Sequence, residues 1–149
     1  MKIQFVKLHP QALIPRRQTQ GSAGYDLSAC AEEPILIPPG EMVMVPLGFA
    51  IQIPEGYAGF VFSRSGLGRL GLVVAQGVGV IDSDYRGQWW VPLRNLSGQP
   101  ITVEPGERIA QVVFMRVAAP ELEEVEELEE TDRGQAGFGS TGLRPRTEI

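Results

Sequence analysis

The chain consists of short β-like runs separated by turns that contain glycine and proline. This pattern limits the possible folds more than any other feature of the sequence. The chain has 18 Gly and 12 Pro among 149 residues, and it lacks long alanine- and leucine-rich periodic stretches. Turns such as Pro38–Glu41 and Glu104–Glu107 are typical of connections between strands. A single all-β domain of antiparallel strands, arranged as a sandwich or barrel, is therefore expected.

The predicted strands are marked by apolar and β-branched residues between these turns. In one of them Phe49, Ile51 and Ile53 recur at period two, which places them on one face. Trp89 and Trp90 are adjacent, so they should face opposite sides of a strand. The predicted strands are Phe5–Leu8, Ile35–Ile37, Met42–Val45, Phe49–Ile53, Tyr57–Phe62, Val73–Val74, Trp89–Leu93, Ile101–Val103 and Ile109–Met115.

The formal net charge of −5 is unevenly distributed along the chain. Residues 121–132 hold eight acids and no base, so the rest has 10 acids, 13 bases and a net charge of +3. This mildly basic body suits a small anionic ligand, but it is too weakly charged to predict nucleic-acid binding. We expect a β domain over 1–117, an acidic connector over 118–132 that is a solvated linker or a short helix, and a mobile, glycine-rich lid over 133–149.

The scarcity of cysteine and histidine excludes several kinds of site. Cys30 and His9 are the only residues of their types, so neither a disulfide framework nor a Cys/His zinc site is possible. Cys30 is expected to be a small buried or half-buried apolar residue; a reactive thiol is the alternative. No run resembles a signal peptide or is long enough to span a bilayer, so we expect a cytoplasmic protein with no membrane partner.

Two acidic residues in the segment Gly79–Gly87 are candidates for acid–base chemistry. Asp82 and Asp84 are two residues apart. On a strand they would point the same way, and like charges that close raise one another's pKa. One of them could then deprotonate a water molecule. An aspartate pair is also common in turns, so this motif is weak by itself.

Two further segments suit phosphate groups. Arg64, Ser65 and Gly66 offer a planar guanidinium, a hydroxyl donor and close access to the backbone. In the tail, backbone N–H groups of residues 137–141 could cradle phosphates, and Phe138 could stack on a base. The Walker pattern G-x-x-x-x-G-K-[ST] is missing from the sequence, so a P-loop NTPase is not expected.

Taken together and in order, five segments resemble the five motifs of the trimeric dUTPase family, and their spacing fits over essentially the whole chain. The chain differs from many members in having Ala75 and Gln76 before the third motif, and in its strongly acidic connector. The five segments are Ala23–Leu27, Arg64–Leu67, Gly79–Gly87, Gly106–Gln111 and Arg133–Gly142.

The resemblance implies a jelly-roll-like fold, a homotrimer with active sites at subunit interfaces, and hydrolysis of dUTP to dUMP and pyrophosphate. Asp82 is then the base that activates water for in-line attack on the α-phosphate, and Tyr85 lies under the deoxyribose and excludes a 2′-hydroxyl. Such an enzyme limits uracil in DNA and supplies dUMP for thymidylate synthesis. The implied cofactor, Mg²⁺, is held mainly by the triphosphate and water, with Asp26 as a support residue.

The other implied substrate contacts fall into three groups. Uracil is read by backbone groups of the hairpin 76–85, including those of Gly77 and Val80. The tail of another subunit closes over the site and contacts the substrate through Arg133, Phe138, Gly139, Ser140 and Thr141. The phosphates are held by Arg64, Ser65, Gly66 and Gln111.

Three other functions fit parts of this pattern less well. The dCTP deaminase family shares the fold and much of the third motif, but it uses an acid on the following strand, where this chain has Pro92. A binding or regulatory protein without catalysis predicts the loss of Asp82 or of the tail, and both are present. A structural jelly-roll protein gives no reason for the phosphate-binding segments to coexist.

Overall fold

The computed structural model describes residues 1–143. Within this range the chain forms eleven strands and one short helix, α1, at Ser65–Arg69. The strands are β1 (Gln4–Lys7), β2 (Tyr25–Ser28), β3 (Ile35–Ile37), β4 (Met42–Pro46), β5 (Phe49–Gln52), β6 (Tyr57–Ser63), β7 (Leu72–Val74), β8 (Gly79–Ile81), β9 (Trp90–Asn95), β10 (Ile101–Val103) and β11 (Arg108–Arg116).

The strands pair in four small antiparallel sheets. The largest has the order β2-β11-β6-β8, and a second has the order β4-β9-β7. The remaining strands pair as β1 with β5 and as β3 with β10. This arrangement confirms the predicted all-β fold, and non-sequential neighbours such as β2 and β11 are typical of jelly-roll-like topologies.

The core is built from the inward faces of these strands. Phe49, Ile51 and Ile53 are 0%, 5% and 2% exposed, which confirms that they share the buried face. Trp89 is 1% exposed and Trp90 is 46% exposed, so the two tryptophans face opposite sides as predicted. The ring of Phe49 packs on that of Trp89 at 5.6 Å between centroids, which links β5 to the segment entering β9.

Three elements were not predicted from the periodicity. Strands β2 and β8 are four and three residues long, too short for an alternating pattern to be visible. Helix α1 contains two glycines, which have poor helix propensity. It forms one turn, in which the Gly68 N–H donates to the Arg64 carbonyl at 2.9 Å.

A buried amide ties the ends of three segments together. Asn95 is the only buried polar side chain among residues 1–143. Its Nδ2 donates to the carbonyls of Ile37 at 3.0 Å and Gln99 at 2.7 Å, and its Oδ1 accepts from the Ser97 N–H at 2.9 Å. Full pairing of this kind offsets the cost of removing a polar group from water.

A second compact unit begins at Pro120, after the first unit, Met1–Ala119. Residues 118–132 contain neither helix nor strand and are all exposed, so the helical alternative for the connector is not formed. Among residues 1–143, no helix is both long and apolar enough to cross a membrane.

Close packing around Gly48 requires the absence of a side chain. Gly48 has φ +70°, and a Cβ there would lie 2.5 Å from Cys30 Sγ and 3.1 Å from His9 Cβ. Its carbonyl also accepts the N–H groups of Leu8 and His9. Cys30 is buried as predicted, and burial raises the pKa of its thiol above the ordinary value.

We expect Gly48→Ala to destabilise the fold by about 2–4 kcal/mol, because left-handed backbone strain adds to overpacking against Cys30. Gly40→Ala is the matched control, since Gly40 has φ +77° but nothing within 4 Å of the added Cβ. It should lose only about 1 kcal/mol. Urea unfolding at one protein concentration, followed by tryptophan fluorescence, measures both variants. Equal losses would contradict the packing argument.

Candidate active site

Four of the five motif segments meet on the sheet β2-β11-β6-β8. β2 carries the first motif, β6 leads directly into the second, β8 begins the third and β11 carries the fourth. In the antiparallel register Gln111 faces Asp26 on one side and Phe62 on the other, while Ala110 faces Ser63. The pairing of β11 with both neighbours therefore brings together, at one end of these strands, residues that are far apart in sequence.

A charged cluster forms where these strands end. Asp26 Oδ1 lies 3.2 Å from Arg64 Nε, and its Oδ2 lies 2.9 Å from an Arg108 guanidinium nitrogen. The Arg64 guanidinium also donates to the Arg108 carbonyl at 3.0 Å. The Asp26 side chain is 14% exposed and the arginines 27% and 45%, so the cluster opens to solvent on its cationic side. Such a surface can accept an anion.

Arg108 is the member of this cluster that sequence reasoning missed. The sequence suggests an ion pair at a strand end between Arg108 and its neighbour Glu107. The structure does not form this pair: Arg108 pairs with Asp26, and a Glu107 carboxylate oxygen accepts the Glu104 N–H at 2.9 Å. Only the register of β2 against β11 places Asp26 beside Arg108.

Gln111 lies beside the second motif, in space that is open because Gly24 has no side chain. Gln111 Nε2 donates to the Ser63 carbonyl at 3.2 Å. A Cβ on Gly24 would overlap Gln111 Oε1 and lie 3.1 Å from its Cδ. Ser65 and Gly66 are exposed at the start of α1, one and two residues beyond Arg64. The predicted phosphate-binding residues Arg64, Ser65, Gly66 and Gln111 are thus grouped around the end of β6.

The structure decides between the strand and the turn that the sequence leaves open for the two aspartates of the third motif. Asp82 and Asp84 lie in a turn after β8, with the Tyr85 N–H donating to the Asp82 carbonyl at 3.3 Å, so they are not strand neighbours. The segment 76–85 is not a two-stranded hairpin either, because β8 pairs with β6 and β7 pairs with β9. β8 is an edge strand of its sheet in the described part of the chain.

Tyr85 and Arg86 are both fixed by this turn. Tyr85 Oη donates to the Gln88 carbonyl at 2.8 Å. The Arg86 guanidinium donates to the carbonyls of Ser83 at 2.7 Å and Tyr85 at 3.2 Å. Asp82, Asp84 and Arg86 line a cavity of about 760 Å³ together with Tyr57 and other residues. Arg86 is therefore partly engaged in stabilising the turn.

Within one chain, Asp82 is far from the Asp26–Arg64–Arg108 cluster. β8 runs antiparallel to β6 with Ile81 facing Gly59, and Asp82 shares its cavity with Ala58. Ser63 lies five residues further along β6 than Ala58, which corresponds to about 17 Å at roughly 3.3 Å per residue. The predicted base and the predicted phosphate-binding residues are consequently at opposite ends of the same strand.

Residues 1–143 contain no cluster of three or more His, Cys, Asp or Glu side chains that could hold a metal ion. Both carboxylate oxygens of Asp26 contact guanidinium groups. This donor set does not form a resident metal site, and the role of Asp26 in supporting magnesium stays a prediction.

The described tail is a series of turns with exposed side chains. Arg133 Nε donates to the Ala136 carbonyl at 3.0 Å, and the Ser140 N–H donates to the Gly137 carbonyl at 3.1 Å. Phe138 has φ +46° and a fully exposed ring. The side chains of Arg133, Phe138, Ser140 and Thr141 are accessible, and their predicted contact with substrate stays a prediction.

Comparison with known proteins places these motifs in one family. The family model described as dUTPase matches residues 11–142. The chain is similar to the deoxyuridine 5′-triphosphate nucleotidohydrolase of Idiomarina loihiensis, with 47% identity over 131 residues and 87% of each chain covered. It is 46% identical to the enzyme of the same name from Acinetobacter baylyi, over 97% of this chain and 100% of the relative.

Solved structures give the same result. The dUTPase of Staphylococcus bacteriophage 80alpha with dUPNHPP superposes with a TM-score of 0.87 and 31% identity, over 95% of this chain and 99% of that one. A mutant dUTPase from phage phi11 of S. aureus, described as coordinating a structural Mg(II) ion, has a TM-score of 0.78 and 27% identity. The match covers 87% of this chain and 100% of the phi11 chain.

We expect Asp26→Asn to destabilise the fold by about 1–2 kcal/mol, because two guanidinium groups lose their shared counter-charge while solvent screens part of the effect. Asp84→Asn is the control, since Asp84 is exposed and forms no ion pair within residues 1–143, and it should change stability by less than about 0.5 kcal/mol. Urea midpoints measured at low and high salt test this. Identical midpoints for both variants would contradict it.

Proposed function

The chain belongs to the dUTPase family, and from this we propose that it hydrolyses dUTP to dUMP and pyrophosphate as a homotrimer with shared active sites. The names of its relatives support the reaction, and the bound analogue named for the 80alpha structure supports the substrate. Its cytoplasmic location stays a prediction.

The main observation in favour of a site shared between subunits is the distance, within one chain, between Asp82 and the predicted phosphate-binding residues. Asp82 lies level with Ala58, and Arg64 is six residues further along the chain from Ala58, so their backbones are about 20 Å apart along β6 at roughly 3.3 Å per residue. The Arg64 side chain also turns away from Asp82, because it contacts Asp26 on β2 and the Arg108 carbonyl on β11, on the side of β6 opposite β8. Asp82 of one subunit therefore works with Arg64, Ser65, Gly66 and Gln111 of another.

An outward apolar face supports assembly. Met42, Met44 and Trp90 are 53%, 48% and 46% exposed. The register of β4 against β9 puts them on one face of that sheet, opposite the core residues Val45 and Val91. Exposed Arg94 lies opposite Met42 on the same face. A group of exposed apolar side chains bordered by a charge favours a surface that another protein copy covers.

The third motif has the features needed to recognise a deoxyuridine. β8 pairs on one side only, so backbone N–H and C=O groups on its unpaired side remain available to the uracil edge. The turn that precedes β8 is held by the Gly77 N–H, which donates to the Val74 carbonyl at 3.0 Å. Backbone readout discriminates strongly, because a wrong base leaves polar groups unpaired. Tyr85, fixed by its bond to the Gln88 carbonyl, supplies a flat surface for the deoxyribose.

Hydrolysis of a phosphoanhydride needs positioning and charge neutralisation more than a covalent nucleophile. Asp82 is exposed in the turn after β8, where it can accept a proton from an attacking water. Arg64 supplies positive charge on the other side of the triphosphate. Magnesium bound with the substrate would neutralise further charge on the triphosphate.

The tail completes the site in this proposal. Phe138 offers an accessible ring for stacking on uracil, and Arg133 adds charge at the phosphates. Gly139, Ser140 and Thr141 supply backbone N–H groups and hydroxyls to the phosphates. Excluding water from the triphosphate strengthens each of these contacts.

We expect wild-type protein with Mg²⁺ to release pyrophosphate from dUTP and hardly at all from dCTP, dTTP or UTP. Asp82→Asn should reduce turnover by about 10²–10⁴-fold, the usual contribution of a general base. Asp84→Asn, in the same turn, is the matched control and should lose far less. The reverse pattern would assign the base to Asp84, and ammonia release from dCTP would support deamination instead.

Subunit sharing predicts complementation between inactive variants. Asp82→Asn and Arg64→Ala should each be nearly inactive as pure proteins. If they are co-refolded in equal amounts, roughly a quarter of the sites should receive intact residues from two different subunits by random assortment in a closed ring. Pyrophosphate release should therefore rise well above that of either variant. Activity no higher than the mean of the pure variants would place both residues in one chain's site.

A further inference from the structure

Gly87, the last residue of the third motif, lies against the ring of Tyr85. A Cβ built on Gly87 would lie 2.5 Å from Tyr85 Oη, 2.7 Å from Cζ and 3.0 Å from Cε2. Real Cβ atoms do not approach other atoms this closely, so the half-exposed Tyr85 ring would have to move. Gly87 is not among the glycines with positive φ, so its backbone would accept an alanine. The space beside Tyr85, rather than the backbone, requires glycine here.

The ring of Tyr85 is also held from a second direction. Tyr85 Oη donates to the Gln88 carbonyl at 2.8 Å, and the Tyr85 N–H donates to the Asp82 carbonyl at 3.3 Å. These contacts fold the ring back over residues 87–88, although Tyr85 as a whole is 42% exposed. An added methyl group on Gly87 cannot be accommodated without lengthening the bond to Gln88 or rotating the ring outward.

We propose that Gly87 is a positioning residue for sugar recognition: its missing side chain, together with the Gln88 carbonyl, seats the Tyr85 ring so that it rejects a ribose 2′-hydroxyl. This inference rests on the proposed function, in which Tyr85 lies under the deoxyribose. A ring fixed at van der Waals distance from the sugar leaves no room for an extra oxygen, whereas a ring that can tilt away admits it.

The test compares kcat/KM for dUTP with kcat/KM for UTP in the full-length protein. In Gly87→Ala the ratio of the two should fall at least about tenfold, a typical effect of misplacing one group in a fitted pocket. Gly98→Ala is the matched control, since Gly98 also has no positive φ and has nothing within 4 Å of an added Cβ. It should leave the ratio unchanged.

A double-mutant cycle shows whether Gly87 acts through Tyr85. Tyr85→Ala should lower the dUTP/UTP ratio, and adding Gly87→Ala to it should change the ratio by less than about twofold, because the ring that the methyl group displaces is gone. If the two substitutions multiply in effect, Gly87 acts by another route and the inference is overturned.

Tyr85→Phe tests the second contact independently of any folding defect in Gly87→Ala. It removes the bond to the Gln88 carbonyl and should lower the ratio by about fivefold, the equivalent of one ordinary hydrogen bond. An unchanged ratio in Tyr85→Phe or in folded Gly87→Ala would overturn the inference alone. A wild-type protein that releases no pyrophosphate from dUTP would instead overturn the proposed function, and this inference with it.

Discussion

The pairing of β11 with β2 on one side and with β6 on the other is the constraint on which the rest of the site depends. Gln111 faces both Asp26 and Phe62. Asp26 and Gln111, more than eighty residues apart in sequence, therefore lie side by side at one end of the sheet. The antiparallel ladder fixes this register through many backbone hydrogen bonds, and a slip of one residue would turn every side chain to the opposite face. The cluster around Asp26 is thus held by the main chain.

That cluster balances charge in a way that suits a transient anion. Asp26 neutralises part of the charge on Arg64 and Arg108 and orients both guanidinium groups, yet the arginines remain partly open to solvent. An anion could add to this ordered cationic surface without first having to assemble it, which would reduce the entropic cost of binding. Asp82 lies in the turn after β8, beside the opposite end of β6. In the proposed function, the base and the cationic cluster therefore come from two different chains.

Glycine serves two different purposes in this chain. Some glycines, such as Gly40, occupy turns with positive φ and open space around them. Others are required by a neighbouring side chain: Gly24 leaves space for the side chain of Gln111, and Gly87 leaves space for the ring of Tyr85. The same residue type therefore shapes both the connections between short strands and the positions of side chains in the site. High glycine content alone does not distinguish these purposes, because it reports flexibility and not contact.

The sequence by itself determined the all-β class, most strand positions and the family, because period-two patterns, turn residues and ordered motifs are local signals. It also predicted site roles for Arg64, Gln111 and Asp82, and these roles stay predictions; it did not indicate which residues they contact. Only the tertiary structure decided that Arg108 pairs with Asp26 instead of Glu107, that the two aspartates of the third motif lie in a turn, and that β8 pairs with β6. These features depend on strand register and long-range packing, which no local stretch of sequence specifies.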